Sequence, residues 1–184
     1  MSYEIGKILI QKRQYKNALS IFYKLLNDSP NDLRTNFFIG KIYYELNNLI
    51  KNIKFFKKCN KIQPNNTNVL FNMALAFQNM GRIDEAKKNY LNLISKNPEN
   101  VKYYYGLYSL DIKNINSKIY NKLQSLINKK NISLFDKSLI NFIFSKIEKK
   151  KRNLDNEINF LEISHRQSYE SNINFNNQSN FYYK

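Results

Sequence analysis

The side chains that most often carry out chemistry in proteins are scarce in this chain. His165 is its only histidine and Cys59 its only cysteine, so a metal cluster or a Cys–His nucleophile pair would lack most of its members. Cys59 occupies an apolar position and is predicted to be a small core residue. His165 follows Leu161 by one helical turn, which predicts a packing or capping role. The sequence therefore predicts no catalytic residue, no metal site and no cofactor.

The acidic residues do not form a general acid and base pair. Asp155 and Glu157 are two positions apart and Asp84 and Glu85 are adjacent, so the members of neither pair share a helix face. Both pairs lie at predicted helix starts, where carboxylates interact favourably with the positive end of the helix. The four glycines are isolated, whereas a phosphate-binding loop needs clustered backbone amides between a strand and a helix. We therefore expect a chain that is not an enzyme.

A regular period organises the chain instead. Pro30, Pro64 and Pro98 are its only prolines and lie 34 residues apart, which is a period of tandem helix–turn–helix repeats. Small residues, aromatic residues and large apolar residues return with the same spacing. These sets are Gly6, Gly40 and Ala74; Ala18, Asn52 and Ala86; Phe22, Phe56 and Tyr90; and Leu25, Cys59 and Leu93. The small residues allow paired helices to approach, the aromatic residues fill the space between repeats, and proline ends the second helix.

This pattern resembles the tetratricopeptide repeat (TPR), most closely over residues 81–86. The resemblance implies an all-α fold, a right-handed α-solenoid of stacked helix–turn–helix hairpins. The predicted organisation is three TPR repeats over residues 1–30, 31–64 and 65–98, a degenerate fourth repeat over 99–132, a fifth helical hairpin over 133–169, and a tail rich in aromatic residues and asparagine over 170–184.

A narrower resemblance concerns the later part of the chain. Residues 131–142, 145–148, 153–161, 172–175 and 181–184 resemble the last repeat and the connector of bacterial TPR-containing sulfotransferases. This resemblance implies a bacterial protein and one alternative function, the N-terminal substrate-presenting module of a split or truncated sulfotransferase. The catalytic domain of that family has no counterpart in the sequence, so its activity is not carried over.

The charge of the chain admits a further, weaker alternative. Thirty basic residues against fourteen acidic ones give a net charge of +16, and a basic surface with aromatic residues is typical of nucleic-acid binding. However, the charge is spread along the chain, and 25 of the basic residues are lysine, whereas base recognition favours arginine. The densest basic run, residues 149–152, falls at a predicted turn. We therefore expect a solvated basic surface, suited to an acidic partner more than to nucleic acid.

The compartment is predicted from what the sequence lacks. No apolar run approaches the roughly 20 residues of a membrane span, and the first ten residues lack the apolar core of a signal peptide. A single cysteine fits a reducing compartment. These features predict a cytoplasmic protein that does not enter a membrane, and they leave its oligomeric state open.

The expected function is that of a scaffold that binds a protein or peptide on its concave face, which the first helices of the repeats line. The residues predicted to form this face are Tyr3, Lys7, Ile10, Arg34, Phe37, Lys41, Tyr44, Asn68, Phe71 and Gln78. Basic groups would attract carboxylates, amides would bond main-chain groups, and aromatic rings would contact apolar side chains. The alternative for Phe37 and Phe71 is packing between neighbouring first helices. The face differs from the carboxylate clamp of chaperone-binding repeats, because Phe38 stands where that clamp has asparagine.

Overall fold

A computed structural model describes residues 2–172, and within them every regular element is helical. The helices are α1 (Ser2–Gln11), α2 (Tyr15–Asp28), α3 (Leu33–Glu45), α4 (Leu49–Ile62), α5 (Thr67–Asn79), α6 (Ile83–Lys96), α7 (Val101–Leu110), α8 (Ser117–Ile127), α9 (Leu134–Lys150) and α10 (Leu154–Ser171), with a short 3₁₀ helix (Ile112–Asn114) between α7 and α8. The predicted all-α class is confirmed. Most of the predicted tail, residues 173–184, lies outside the described residues.

The 34-residue period fixes where the helices begin and end. Helices α2, α4 and α6 each end two residues before a proline, because the pyrrolidine ring disfavours helical geometry in the preceding residue. The next helix then begins after an N-cap residue whose side chain accepts hydrogen bonds from backbone N–H groups of the first turn. These caps are Asp32, Asn66 and Asn100, which are again 34 residues apart.

The chain divides into two compact units, Met1–Lys96 and Asn97–Lys184. In the first unit α1 packs on α2, α3 on α4 and α5 on α6, and the hairpins join through contacts of α2 with α3 and of α4 with α5. This stacking of helical hairpins is the arrangement that the period predicts.

The core of the first unit follows the pairing of small and aromatic residues. Phe22, Phe56 and Tyr90 are completely buried. A Cβ atom placed on Gly6 would lie 2.7 Å from Cζ of Phe22, and one on Gly40 would lie 3.2 Å from Cζ of Phe56. The glycines therefore make room for the rings of the facing helix, as predicted.

The second unit is organised around α9. Helix α10 packs along α9, and α7 and α8 also contact α9. Helices α7 and α8 pack on each other far less than the two helices of each hairpin elsewhere in the chain do. Several polar contacts join α9 to α10. Among them, Ser164 Oγ donates to the Ser138 carbonyl at 2.8 Å, Asn141 Nδ2 donates to Gln167 Oε1 at 2.9 Å, and Lys149 forms an ion pair with Glu157. The segment predicted as a degenerate fourth repeat thus has two helices but lacks a closely packed hairpin.

No described helix is both long enough and apolar enough to span a lipid bilayer.

Candidate peptide-binding face

The aromatic residues of the predicted concave face are also part of the hairpin core. Three of the four, Tyr3, Phe37 and Phe71, are half-buried on first helices, and each contacts the interior aromatic ring of its second helix edge to face. The pairs are Tyr3–Phe22, Phe37–Phe56 and Phe71–Tyr90, with ring centroids 5.7, 5.4 and 6.3 Å apart and interplanar angles of 82°, 68° and 69°. Such contacts add stability beyond the area that they bury. Each ring packs within its own hairpin, and Tyr3 also contacts Phe38 on the first helix of the next hairpin, with centroids 5.5 Å apart. The remaining exposure of the three rings contributes to the face.

Two polar residues of the predicted face are engaged by neighbouring side chains. The Tyr44 hydroxyl accepts a hydrogen bond from Asn79 Nδ2 at 2.8 Å, which links α3 to α5. Gln78 Oε1 accepts one from the Tyr90 hydroxyl at 3.0 Å. Burial, together with the nearby Tyr44, raises the pKa of Tyr90 to about 12, so this hydroxyl stays a donor at neutral pH. These contacts hold Tyr44 and Gln78 in fixed orientations.

The basic residues of the face differ in their surroundings. Lys7 forms an ion pair with Glu4 on the same helix, with Nζ 3.0 Å from Oε2. Arg34 and Lys41 are exposed on α3. Near Arg34, the Asp32 carboxylate caps α3; burial opposes its ionisation, but hydrogen bonds from Thr35 leave its pKa below the usual value. Arg34 and Lys41 therefore offer positive charge to a ligand.

A pocket of about 130 Å³ opens beside the N-terminal ends of α3 and α5. It is lined by Leu33, Arg34, Phe37, Phe38, Asn66, Asn68 and Val69. The pocket brings together three of the predicted face residues: Arg34, Phe37 and Asn68. A cavity of about 150 Å³ holds a benzene-sized group, so this one suits a single apolar side chain. The side chains of Arg34 and Asn68, which are both exposed, lie beside the pocket.

Phe38 is a site residue to which the sequence assigned no role. Its ring stacks on Phe22 with centroids 5.6 Å apart and an interplanar angle of 5°, and it contributes a wall of the pocket. The equivalent positions in the neighbouring repeats are Glu4 and Asn72. Because the period carries no aromatic residue there, it could not have identified Phe38.

A second aromatic cluster lies in the second unit. Tyr105 falls one period after Phe71, but the position that would hold its ring partner on the second helix is Gln124. Tyr105 contacts Tyr108 and Phe142 instead, with centroids 5.8 and 6.1 Å away. Continuing the 34-residue register past Pro98 would have found Tyr105, but not its change of partner.

A wider pocket of about 500 Å³ lies among α8, α9 and α10. It is lined by Tyr120, Gln124, Ser125, Ile127, Asn128, Asn141, Phe144 and Phe160. Its rings contact one another, with Tyr120 and Phe160 packed on Phe144 at centroid distances of 5.0 and 5.5 Å. Amide groups and aromatic rings share its walls, and nothing there resembles a set of reacting groups.

Cys59 and His165 were the two side chains considered for catalysis or metal binding. The structure agrees with the role predicted for Cys59 but not with the one predicted for His165. Cys59 is fully buried, as predicted, and its thiol points at the Leu33 carbonyl at 3.7 Å. Burial raises its pKa to about 11, so it is a poor nucleophile at neutral pH. The side chain of His165, in contrast, is exposed within α10. The packing or capping role predicted for it is therefore wrong, because the face of α10 that carries it does not meet α9.

The acidic pairs and the basic run lie where the sequence places them. Asp84 and Glu85 belong to the first turn of α6, and Asp155 and Glu157 to the first turn of α10. The basic run lies at the turn between α9 and α10, where Lys151 Nζ bonds Glu148 at 2.7 Å. The run therefore contributes solvated charge at a turn, part of it already paired.

Comparisons with known proteins agree with this geometry. A family model described as anaphase-promoting complex, cyclosome, subunit 3, matches residues 11–93. Among solved structures, MamA is similar with a TM-score of 0.73 and 17% identity over 90% of this chain and 95% of that chain. MamA 41-end from Desulfovibrio magneticus RS-1 has a TM-score of 0.69 and 14% identity over 90% and 94% of the two chains.

YrrB, described as a TPR protein with an unusual peptide-binding site, is similar with a TM-score of 0.69 and 9% identity, over 90% of this chain and 84% of that chain. No curated protein matches the sequence. At these identities the likeness shows the fold alone, and that fold is the one that the 34-residue period predicts. The chain has the helical-repeat fold of TPR proteins. The sulfotransferase resemblance gains no support from these comparisons.

Proposed function

We propose that the chain is a non-catalytic scaffold that binds an extended peptide segment of a partner protein on the first-helix face formed by α3 and α5. The observation that carries this proposal is the pocket that brings Arg34, Phe37 and Asn68 together. Concave faces of helical repeats are recognition surfaces, and the structurally similar YrrB is described as having a peptide-binding site.

The chemistry of the face defines the ligand. Arg34, Phe37 and Lys41 are three and four residues apart, so they lie on one side of α3. An apolar side chain of the peptide enters the pocket against Phe37, and carboxylates beside it meet Arg34 and Lys41. The exposed amide of Asn68 is placed to bond the peptide main chain. The expected ligand is therefore an acidic peptide with one apolar anchor.

The test is selection of acidic peptides with single apolar anchors from a displayed library, followed by fluorescence anisotropy with the purified chain. We expect Arg34→Glu with Lys41→Glu to weaken binding by about 100-fold, since two charge-assisted contacts become repulsive. A matched control, Lys57→Glu with Lys61→Glu, makes the same charge change on α4. Equal losses in the two variants would show that net charge alone drives binding and would refute the pocket assignment.

Nucleic-acid binding is the weaker alternative, and the net charge of +16 is the observation that favours it. It predicts an affinity for oligonucleotides that falls steeply with salt concentration. If no oligonucleotide binds at low salt, this alternative is excluded.

The role of a substrate-presenting module for a separate sulfotransferase stays a prediction. It requires that a separate sulfotransferase chain bind this protein, and co-purification of the two would test it. A cytoplasmic location is likewise part of the proposal, and microscopy of the fluorescently tagged protein in its native cells would test it.

A further inference from the structure

One face of α1 is exposed where its counterparts in the next two hairpins are buried. Ile5 and Ile8 are 45% and 48% exposed. The residues that correspond to Ile5 in the next two hairpins are Ile39 and Met73, and those that correspond to Ile8 are Ile42 and Ala76. All four are at most 7% exposed. The α1 end face, Ile5 and Ile8, is therefore a repeat interface that no described residue covers.

The buried counterparts show which kind of element fits this face. Helix α2 packs on α3 and α4 packs on α5, so each face is covered by the second helix of the preceding hairpin. At the first of these interfaces Ala18 and Phe22 of α2 form one cluster with Ile39 and Ile42 of α3. The α1 end face is thus shaped to receive the outer side of a second helix.

The chain itself carries such a helix with an open outer side. Helix α10 is the second helix of the last hairpin, and α9 is the described helix that packs closely on it. Its exposed residues include the apolar Leu154 and Ile158, which are one helical turn apart. An apolar outer side on a second helix is what covers α3 and α5 within the first unit.

The charges of the two surfaces are complementary. Helix α10 has four carboxylates against one basic residue, Arg166, and one of the four, that of Glu157, already pairs with Lys149 of α9. It is the helix with a net negative charge among those described, whereas the whole chain has a net charge of +16. Beside the α1 end face stand the exposed Lys12 and Arg13. The Lys12 backbone N–H bonds the Ile8 carbonyl at 3.0 Å, which places Lys12 one turn beyond Ile8.

We propose that the chain associates head to tail, with α10 of one copy packed on the α1 end face of the next. Ile5 and Ile8 meet Leu154 and Ile158 of the second copy, and Lys12 and Arg13 meet the carboxylates of α10. Such contacts continue the repeat stacking between molecules. The interface is heterologous, so each copy keeps one unused surface and assembly proceeds beyond a dimer. It uses none of the residues of the peptide-binding face.

The first test is sedimentation velocity of the full chain over a range of concentrations. We expect concentration-dependent oligomers, weakened by high salt, and we expect Ile8→Glu to lower the association constant by at least about tenfold, because a charge would enter an apolar contact. Ile50→Glu, at an exposed isoleucine of α4, is the matched control. Circular dichroism checks that both variants stay helical. A chain that stays monomeric at every concentration overturns the proposal.

A mixing experiment then identifies the occupant. Ile8→Glu disables the α1 end face, and Leu154→Glu with Ile158→Glu disables α10. The two variants together offer one intact pair of surfaces, so they should form a one-to-one complex although each remains monomeric alone. Absence of that complex overturns the pairing of α10 with α1. A chain ending at Asn172 must associate like the full chain, since loss of association would assign the interface to residues 173–184 instead.

Discussion

The side-chain amide of Asn52 donates a hydrogen bond to the Gly40 carbonyl oxygen at 2.9 Å, across the α3–α4 hairpin. Both residues are buried, and Asn52 occupies the position held by Ala18 and Ala86 in the neighbouring repeats. Its Oδ1 atom has no hydrogen-bond partner among the described residues. At this position the second hairpin therefore has a polar link, whereas the first and third hairpins have alanine there.

The two ends of this amide predict effects of different size for two substitutions. Asn52→Asp replaces the donor with a second acceptor facing the Gly40 carbonyl, and we expect a loss of about 3 kcal/mol in the free energy of unfolding. Asn52→Ala removes the hydrogen bond together with the unpaired Oδ1, so we expect a change within about 1 kcal/mol. Urea denaturation of both variants measures the difference. Equal losses would show that the hydrogen bond contributes no more than the volume of the side chain.

The glycine positions of the first two hairpins predict a graded response to alanine. Alanine gains about 1 kcal/mol of helix propensity over glycine. At Gly6 the new Cβ would lie 2.7 Å from Phe22, a buried ring held by Tyr3 and Phe38, so we expect a net loss of about 1 to 2 kcal/mol. At Gly40 the closest approach is 3.2 Å, to Phe56, and we expect a smaller effect.

Thermal or urea unfolding measures both alanine variants. A double-mutant cycle with Phe22→Leu identifies the cause, because Gly6→Ala should be tolerated when the smaller side chain faces it. A Gly6→Ala variant more stable than the unmodified chain would show that Phe22 moves aside freely.

The sequence predicts the fold most completely in the first three repeats. There, side-chain size and turn chemistry both recur every 34 residues, so the helix pairs, the glycine–aromatic contacts and the burial of Cys59 could be predicted from spacing. Past Pro98 the second helix has Gln124 where the period calls for an aromatic residue, and the packing changes so that α7 contacts α9. Pattern alone could not predict that change, because the new partner of Tyr105, Phe142, is 37 residues away and outside the period.

The candidate site could be predicted only in part, because the repeat pattern gives the helix face of a residue but not its side-chain partners. Helical spacing placed Arg34, Phe37 and Lys41 on one face, but it could not show that Tyr44 and Gln78 are held by Asn79 and Tyr90. Side-chain hydrogen bonds depend on the distance between helices, which a repeat pattern does not encode. The assignment of the face to peptide binding stays a prediction.

The turns between paired helices predict a stabilising substitution. Arg13, Asn47 and Gly81 occupy equivalent positions with φ of 56°, 54° and 71°, a left-handed conformation that costs a residue with a Cβ roughly 1 kcal/mol or more. We expect Arg13→Gly to raise the free energy of unfolding by up to about 1 kcal/mol and Asn47→Gly by less, because asparagine tolerates this conformation.

The reciprocal change tests the same cause. A Cβ on Gly81 would meet no atom within 4 Å, so a loss of about 1 kcal/mol in Gly81→Ala would come from the backbone alone. Chemical denaturation measures all three variants. A neutral Gly81→Ala would contradict the role assigned to the left-handed turn.

The buried thiol of Cys59 predicts how stability depends on alkaline pH. Burial raises its pKa from an ordinary value of 9.0 to about 11, so in the folded state the thiol keeps its proton where the unfolded chain loses it. Its contribution to stability is therefore complete below pH 9 and declines as the pH rises from 9 towards 11.

Unfolding free energies measured across this range should fall more steeply for the natural chain than for Cys59→Ala. The pKa values of Tyr3 and Tyr90 are also raised, to about 12, but the contributions of these tyrosines cancel in the difference between the two chains. The thiol should also react slowly with a disulfide reagent at pH 8 until the chain is unfolded. Parallel slopes in the two chains, or rapid modification of the folded protein, would show that Cys59 is open to solvent.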